Sequence, residues 1–392
     1  MFNRKERNKM SYKLKGKHDI RRIKTEYGRS EFARSTRRSS TARKKLLNSA
    51  LNVPKEELDD PMVEQGEQQT SRSNTNIVSQ KKWYSLSIAL PGSILNNAQG
   101  PQFRSYLAGE IARTCCVFCV DEVVIFDESA RLTDGQLEAY YSGSWTGEEW
   151  PTPQNAECNL HLARILEYME CPQYLRKALF PTQLPLKWAG VLNPLDGMHH
   201  LRSDDFSIPY REGVVVGKTV KAGHGSFCDV GLDKDLELAD GKVLPPGTRV
   251  TVELIEMEKA RKHYRGRLIS PKNIRNQAGI YWGYSVRIAK SLSDVFAKKY
   301  DTIIGTSERG VPIGEAEIPR DKDGAKILVV FGGLDGLESA VNSDEGIDVE
   351  RPEDLFQIYV NSLPDQGSRV IRTEEAIPIT LTALKMCLDH SG

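Results

Sequence analysis

The segment Ile327-Leu-Val-Val-Phe-Gly-Gly-Leu-Asp-Gly-Leu-Glu338 joins an apolar run to three glycines and then to a helix-like pattern. An apolar run of this kind predicts a strand buried on both faces, as in a parallel sheet. Glycine lets the backbone pass close to a ligand at the carboxyl edge of such a sheet, where open α/β folds usually bind. The glycines stand at 332, 333 and 336, so the segment is not the GxGxxG dinucleotide fingerprint. Taken alone, it is better explained by a tight turn from strand to helix.

Two neighbouring segments change that balance. Thr302-Ile-Ile-Gly-Thr-Ser-Glu-Arg-Gly310 is a second strand followed by a polar loop that ends at a glycine. A third strand-to-loop edge spans residues 358–376. Because the carboxyl ends of parallel strands meet at one edge of a sheet, the three loops are expected to converge on one pocket.

The chain around these segments alternates between strand and helix patterns. Residues 83–90 and 122–127 are typical of strands, while apolar residues recur at helical spacing over 103–115 and 159–180. The alternation resumes near residue 282, with elements predicted at 285–288, 292–299, 302–305, 327–331, 356–360 and 374–388. This order predicts an α/β fold with a parallel sheet.

Between these two parts the pattern changes to short strands separated by glycines. Strands are predicted at 213–218, 226–232, 249–255 and 264–269. Several short strands at close spacing are typical of a small β-barrel. We therefore expect a barrel at 206–280, inserted into one split α/β domain.

The first fifty residues are strongly basic. They hold seventeen Lys and Arg against four Asp and Glu, a charge of about +13 in a chain whose formal net charge is +1. Such a segment is usually disordered and binds polyanions, and Arg21-Arg22-Ile23-Lys24 suits a nuclear-import signal. A tail that only aids solubility is the alternative. Residues 52–80 have almost no large apolar side chains, so we expect 1–80 to be a disordered tail and linker.

The three loop segments resemble a known family. Gly-Thr-Ser-Glu-Arg-Gly at 305–310, Val-Phe-Gly-Gly with Gly-Leu-Glu at 330–338, and Asn-Ser-Leu-Pro-Asp-Gln-Gly-Ser-Arg with Ile-Arg-Thr-Glu-Glu-Ala at 361–376 are similar to the cofactor loops of SPOUT, or α/β-knot, methyltransferases. The archaeal and eukaryotic branch, similar to the large-subunit rRNA uridine-N3 methyltransferases, carries a barrel insert of OB-fold type. The resemblance covers roughly residues 81–388.

The resemblance implies a deep trefoil knot, in which the chain after Asn361 threads through an earlier loop. The methyltransferase domain would comprise 81–205 and 281–392, split by an OB-like barrel at 206–280. S-adenosylmethionine would be held, mostly by backbone groups, among Thr306, Gly332, Gly333, Asn361, Gln366, Gly367, Ile371 and Thr373.

The family also forms homodimers through the knot, so the active site would combine residues of two chains. In this chain we expect the dimer surface on the last helix, whose apolar residues include Ile377, Ile379, Leu381 and Leu384.

Arg309, Arg372 and Glu374 are the predicted catalytic residues. An arginine in these loops can hold a phosphate or stabilise negative charge on a uracil oxygen, whereas a surface ion pair is the structural alternative. Glu374 and Glu375 follow Thr373, a possible N-cap, and the helix dipole favours carboxylates there in any case. Glu308, Asp335 and Glu338 remain alternative general bases.

A hairpin of the barrel is rich in basic residues. Charge interleaved with a tyrosine suits an RNA groove in which cations track phosphates and the ring stacks on a base, although a solvated edge strand is the alternative. The predicted RNA-binding residues are Lys259, Arg261, Lys262, Tyr264, Arg265 and Arg267.

Three further motifs are not expected to carry function. Residues 213–219 mimic a P-loop but run into a strand rather than a helix. Cys116 and Cys119 form a CxxC without a second ligand pair, so they are interpreted as buried thiols and no metal is expected. His199 and His200 are interpreted as part of a surface turn.

The predicted function is methylation of RNA from S-adenosylmethionine, at uridine N3 of large-subunit rRNA. The alternative is a non-catalytic RNA-binding or scaffold protein that has kept the knot, but such a protein has no need of intact cofactor loops. The basic tail points to the nucleus, and to the nucleolus for an rRNA substrate. No apolar run reaches the length of a membrane span, so no membrane association is expected.

Overall fold

The computed structural model of the protein describes residues 82–147, 152, 156–258, 260–320 and 322–390. The predicted basic tail and linker, residues 1–80, lie outside the described residues. The strands are β1 (Tyr84–Pro91), β2 (Glu122–Phe126), β3 (Tyr210–Val215), β4 (Phe227–Asp229), β5 (Leu236–Leu238), β6 (Arg249–Glu256), β7 (Tyr264–Leu268), β8 (Ser285–Ala289), β9 (Thr302–Pro312), β10 (Ala325–Val330) and β11 (Ile358–Asn361).

The helices are distributed along the same chain order. They are α1 (Pro101–Val117), α2 (Asp134–Ser142), α3 (Glu157–Glu170), α4 (Gln173–Leu179), α5 (Pro271–Ala278), α6 (Leu292–Val295), α7 (Gly336–Ser343) and α8 (Thr373–His390). Short 3₁₀ turns occur at Gly92–Asn97, Leu184–Leu186, Ala189–Val191, Ile313–Glu315 and Pro352–Asp354. None of the helices in the described ranges has both the length and the apolar character needed to cross a membrane.

Six strands form one parallel sheet in the order β11-β9-β10-β1-β2-β8. Its central strands are buried because helices cover both faces, as a parallel sheet requires. Alternate residues of β2 show this directly, since Val123 and Ile125 join one core cluster while Val124 and Phe126 join the other. Helices α1, α3 and α8 cover the first face, and α6 and α7 cover the second. The predicted α/β class is confirmed.

Five short strands close into a barrel in the order β3-β4-β5-β7-β6. Its interior is filled by the apolar cluster Val215, Cys228, Val230, Leu236, Leu238, Val250, Val252, Leu254 and Tyr264. The barrel strands fall between β2 and β8 of the sheet, so the barrel interrupts the chain that forms the sheet. Strand β5 was not predicted, because Leu-Glu-Leu between charged residues is too short to show a pattern.

Helix α6 is shorter than predicted. It ends at Val295, not near residue 299, because the chain after it turns back toward the sheet. There the Lys298 Nζ donates to Glu122 Oε2 at 2.8 Å, and the Tyr300 hydroxyl donates to the same oxygen at 3.0 Å. These bonds to a buried carboxylate replace a further helical turn.

Candidate active site

A cavity of about 430 Å³ opens at the carboxyl edge of the sheet. It is lined by residues 306–309 within β9, by residues that end or follow the flanking strands β10 and β11, and by the start of α8. The three segments singled out in the sequence therefore converge at one edge of the sheet. The predicted loop after residue 305 is wrong, because β9 continues to Pro312.

Hydrogen bonds tie the three loops to one another. The Thr306 hydroxyl donates to Val330 O at 3.0 Å, and the Asn361 side-chain amide donates to Glu308 O at 2.9 Å. The Thr373 hydroxyl donates to Gly332 O at 2.8 Å and so joins α8 to the glycine loop. These bonds fix the cavity wall without a ligand.

Two glycines are required by close packing of the chain against itself. A Cβ on Gly332 would lie 2.6 Å from the carbonyl carbon of Gly336 and 2.7 Å from the Leu337 nitrogen, both backbone atoms. A Cβ on Gly333 would overlap Oε2 of Glu128, which can move because it ends a flexible side chain. Gly332 is therefore the more stringent position.

Most of the predicted cofactor residues surround this cavity. Seven of them line it, namely Thr306, Gly332, Gly333, Asn361, Gln366, Ile371 and Thr373. Gly367 is exposed and does not line it. The predicted N-cap role of Thr373 is wrong, because its hydroxyl is bonded to Gly332 and α8 begins at Thr373 itself. Instead, the Arg372 N–H donates to the Glu375 carboxylate at 3.0 Å.

The predicted catalytic residues are divided between two cavities. Arg309 lines the first, where its Nη1 donates to Glu338 Oε1 at 2.9 Å. Arg372 and Glu374 line a second cavity of about 400 Å³ beside α1. Arg372 does not line the first cavity, although its neighbours Ile371 and Thr373 do. The Thr373 hydroxyl donates to Gly332 O, whereas the residues on either side of Thr373 line the second cavity.

Comparison with known proteins identifies the family. Residues 85–384 match a protein-family model described as "Putative RNA methyltransferase". The chain belongs to this family. It is 49% identical over 315 residues to a human 28S rRNA (uridine-N(3))-methyltransferase, a match that covers 79% of this chain and 80% of the human one. The mouse protein of that name is 50% identical over 79% of this chain and 78% of its own, and the Drosophila melanogaster protein is 48% identical over 76% and 61%. The SPOUT resemblance is thereby confirmed.

The arginines of the basic hairpin of this methyltransferase are paired with carboxylates of the same chain, which the sequence did not indicate. Arg261 and Arg265 both pair with Glu256, and the Arg267 Nε donates to Glu253 Oε2 at 2.6 Å. Lys262 is exposed, and Lys259 lies outside the described residues.

The predicted stacking role of Tyr264 is wrong. Its ring is 5% exposed and belongs to the core of the barrel, and its hydroxyl donates to Asp233 Oδ1 at 2.8 Å. Strand alternation places Tyr264 inward while its basic neighbours face outward.

The interpretation of His199 as part of a surface turn is wrong. His199 is fully buried, and its Nε2 lies 3.0 Å from Glu170 Oε1. Glu170 also accepts from Nη1 of Arg249 at 2.6 Å, while the Arg249 Nε donates to Glu212 Oε2 at 2.7 Å. Burial alone would raise the pKa of Glu170, but Arg249 and His199 outweigh it and lower this pKa to about 2. Arg249 on β6 thus joins the barrel to the end of α3.

Cys116 and Cys119 are half-buried free thiols, and the described residues contain no cluster of metal-ligating side chains. A larger cleft of about 1250 Å³ lies at the amino edge of the sheet, against the barrel and α5. Its basic residues come from segments far apart in the sequence, namely Lys82, Arg249, Lys272, Arg275, Lys298, Lys326 and Lys385.

Sequence reasoning missed one carboxylate beside the cofactor cavity, Glu128. Its only signal in the sequence is its place just after β2, at the carboxyl end of a strand predicted to be buried.

Proposed function

We propose that this methyltransferase transfers a methyl group from S-adenosylmethionine to N3 of a uridine in large-subunit rRNA. The observation that carries the proposal is the 49% identity over 315 residues to a human protein named for that reaction. The convergence of the three family loops on one cavity supports it, since a scaffold protein would have no need of them.

The first cavity suits S-adenosylmethionine in size and charge. Its volume of about 430 Å³ lies within the usual range of small-molecule sites. Its lining holds three carboxylates, Glu308, Asp335 and Glu338, against the single cation Arg309, so it favours a positively charged ligand. We propose that the seven lining residues named above hold the cofactor, with Gly367 at its rim.

Bound S-adenosylmethionine supplies an electrophilic methyl group. The chain must then align the uracil, exclude water and manage the N3 proton, because uracil N3 is a poor nucleophile while protonated. We propose that Arg309 and Arg372 stabilise negative charge on the uracil oxygens and that Glu374 lies against the target nucleotide. Because N3 lies on the Watson-Crick edge, the nucleotide must be unpaired or flipped.

A homodimer would bring the two cavities into one site. Phe103 and Tyr106 on α1 are 66% and 55% exposed and line the second cavity beside Arg372. Exposed apolar side chains grouped in this way mark an interaction surface. The earlier expectation for α8 needs correction, because Ile377, Leu381 and Leu384 are buried within their own chain. We propose that α1 and the start of α8 form the dimer surface.

Light scattering tests the dimer. The double variant Phe103→Ser, Tyr106→Ser should be monomeric at micromolar concentration. Val117→Ser is the matched control, since Val117 is 61% exposed on the same helix but does not line that cavity. A dimeric double variant would contradict this surface.

The remaining expectations extend the same proposal. A deep trefoil knot, with the chain after Asn361 threaded through an earlier loop, is supported by membership of the family. An OB-like role for the barrel in RNA binding, with Arg261, Lys262, Arg265 and Arg267 on phosphates, is supported by the outward position of these side chains. The basic tail supports a nucleolar location.

The reaction is tested by incubating the protein with S-adenosylmethionine and large-subunit rRNA, then analysing nucleosides by mass spectrometry. N3-methyluridine is the expected product. A methyl group on ribose or on another base would overturn the N3 assignment, and no methylation would favour the scaffold alternative.

A further inference from the structure

Glu128 lies at the carboxyl edge of the sheet, beside the glycine loop that lines the cofactor cavity. Strand β2 ends at Phe126, and the next two residues are the carboxylates Asp127 and Glu128. Asp127 is fully occupied, since one oxygen accepts from the Ser129 N–H at 3.1 Å and the other from the Arg131 and Leu132 N–H groups at 2.7 and 2.8 Å. Asp127 therefore shapes the loop and leaves Glu128 as the carboxylate that projects toward the glycine loop.

The Glu128 carboxylate is packed against Gly333, which lines the cofactor cavity. Its Oε2 would overlap a Cβ placed on that glycine. This oxygen is buried and has no hydrogen-bond partner. Burial, together with the charges of Asp335 and Asp127, raises the pKa of Glu128 above its ordinary value. The hydrogen bond from Ser93 to the carboxylate opposes this rise in pKa but does not cancel it. A buried carboxylate oxygen left without a donor is costly, which is typical of groups retained for chemistry.

Two other buried oxygens without partners belong to segments at the same edge. They are Asn96 Oδ1, in the 3₁₀ turn after β1, and Glu374 Oε2, at the start of α8. Buried acceptors are normally satisfied, so unpartnered oxygens on segments that meet at one edge of the sheet are consistent with a ligand that supplies the donors. The N3–H of uracil is a donor of the required kind.

We propose that Glu128 is the general base that takes the N3 proton of the target uridine. This inference rests on the proposed function. The N3–H bond breaks as the proton passes to Oε2, and its electron pair forms the bond from N3 to the methyl group. The bond from that methyl to sulfur breaks with its electron pair left on sulfur. The carboxylate becomes neutral as the sulfonium charge is lost, so the step separates no charge.

The other carboxylates are placed less well for this task. Glu338 is already engaged in an ion pair with Arg309. Glu308 and Asp335 are exposed to solvent, so the structure does not shield them from water. Glu374 lines the second cavity next to Arg372 and is the rival that the experiment must separate.

The test compares Glu128→Gln with Glu128→Asp, Glu374→Gln and the control Glu138→Gln, an exposed carboxylate on α2. Single-turnover methylation of an rRNA fragment is measured from pH 6 to 9, with cofactor affinity determined separately by calorimetry. Glu128→Gln should bind the cofactor as the wild type does but react about a hundredfold to ten-thousandfold more slowly near pH 7, as for loss of a general base.

The pH dependence of the methylation rate distinguishes a general base from a residue that only stabilises the loop. The wild-type rate should level off once Glu128 is ionised. The Glu128→Gln rate should keep rising by about tenfold per pH unit, because it depends on the small fraction of uridine already ionised in solution. RNA carrying 5-fluorouridine, whose N3–H is more acidic, should selectively restore Glu128→Gln, and Glu128→Asp should retain part of the rate.

A thermal melt provides a readout without turnover. A carboxyl group whose folded pKa is raised loses stability as pH rises through that pKa, so Glu128→Gln should melt no lower than the wild type at pH 8. A lower melting temperature with weaker cofactor binding would mean that Glu128 only braces the loop. A wild-type-like rate for Glu128→Gln, or the predicted profile in Glu374→Gln instead, would also overturn the proposal. Failure of the wild type to form N3-methyluridine would overturn the proposed function itself.

Discussion

The cofactor cavity and the barrel hairpin were both predicted from local sequence, but the structure agrees with the first prediction better than with the second. Seven of eight predicted residues surround the cavity. In the hairpin, Tyr264 is buried in the core, and three arginines pair with glutamates of the barrel. Glycines in a loop indicate that the backbone there packs closely against a neighbour. Parallel strands end at a common edge, so such loops lie together in the fold. A cluster of like charges says nothing about the partners that other segments supply.

The largest expected effect concerns what holds the barrel to the sheet. Arg249→Met leaves the buried carboxylates of Glu170 and Glu212 without their cation, and breaking such a pair costs about 3–5 kcal/mol of unfolding free energy. Urea unfolding measures it. Arg267→Gln, which breaks an exposed pair on the same barrel, is the control and should leave the urea midpoint almost unchanged, because solvent screens the pair. Equal losses would contradict the special role of Arg249.

The ion pair between Arg249 and Glu170 also makes the stability of the protein depend on pH in the acid range. Because the folded pKa of Glu170 is lowered to about 2, its stabilisation is fully present above the ordinary pKa of a glutamate and is lost as pH falls toward 2. Arg249→Met should be less sensitive to pH across that window.

The next effect concerns chemistry. Arg372→Ala should lower the single-turnover rate about a hundredfold to a thousandfold, as for loss of one preorganised donor, while cofactor affinity stays near normal. Arg369→Ala, an exposed arginine in the same loop, is the control. If Arg372 only braced the fold, its variant would melt early and lose cofactor and RNA affinity together. A near-normal rate would shift the role to Arg309 or to backbone donors.

A smaller effect tests the cavity wall. Gly332→Ala should weaken cofactor binding about tenfold to a hundredfold, since overpacking against backbone costs about 1–3 kcal/mol. Gly333→Val should also block the cofactor, although a shift of Glu128 relieves part of its clash. Gly314→Val is the control, because a Cβ there meets nothing within 4 Å. Cofactor affinity is measured by calorimetry. Unchanged affinity in a folded Gly332→Ala protein would contradict the proposal that this cavity binds the cofactor.

The smallest effect concerns the hairpin. Arg265→Gln and Arg267→Gln should each change the salt dependence of RNA binding by no more than about 0.7 of a slope unit, the value for one phosphate contact on a single strand. Removal of residues 1–80 should lower the slope by several times that amount and leave cofactor affinity intact. If the hairpin variants lowered the salt-dependence slope more than removal of the tail did, the hairpin would be the main phosphate-binding segment and this prediction would be wrong.

The errors of prediction share one physical cause. His199 was assigned to a surface turn because its segment resembles a loop and shows no matching ligand motif, yet His199 contacts Glu170 and Trp282 in the interior. Glu128 carried no motif, and only the position of Gly333 across the sheet edge makes it a candidate base. In each case the decisive partner is distant in sequence, so no local pattern records it.

The sequence by itself determined the α/β class, the inserted barrel and the three loops, because strand periodicity and glycine positions are local consequences of backbone geometry. Only the tertiary structure decided which charges are neutralised, which side chains are buried and that Arg309 and Arg372 lie in separate cavities of one chain. Those outcomes depend on packing between segments far apart in the chain. Electrostatic interactions and burial depend on residues that are close in space, whereas a sequence pattern records only residues that are close along the chain.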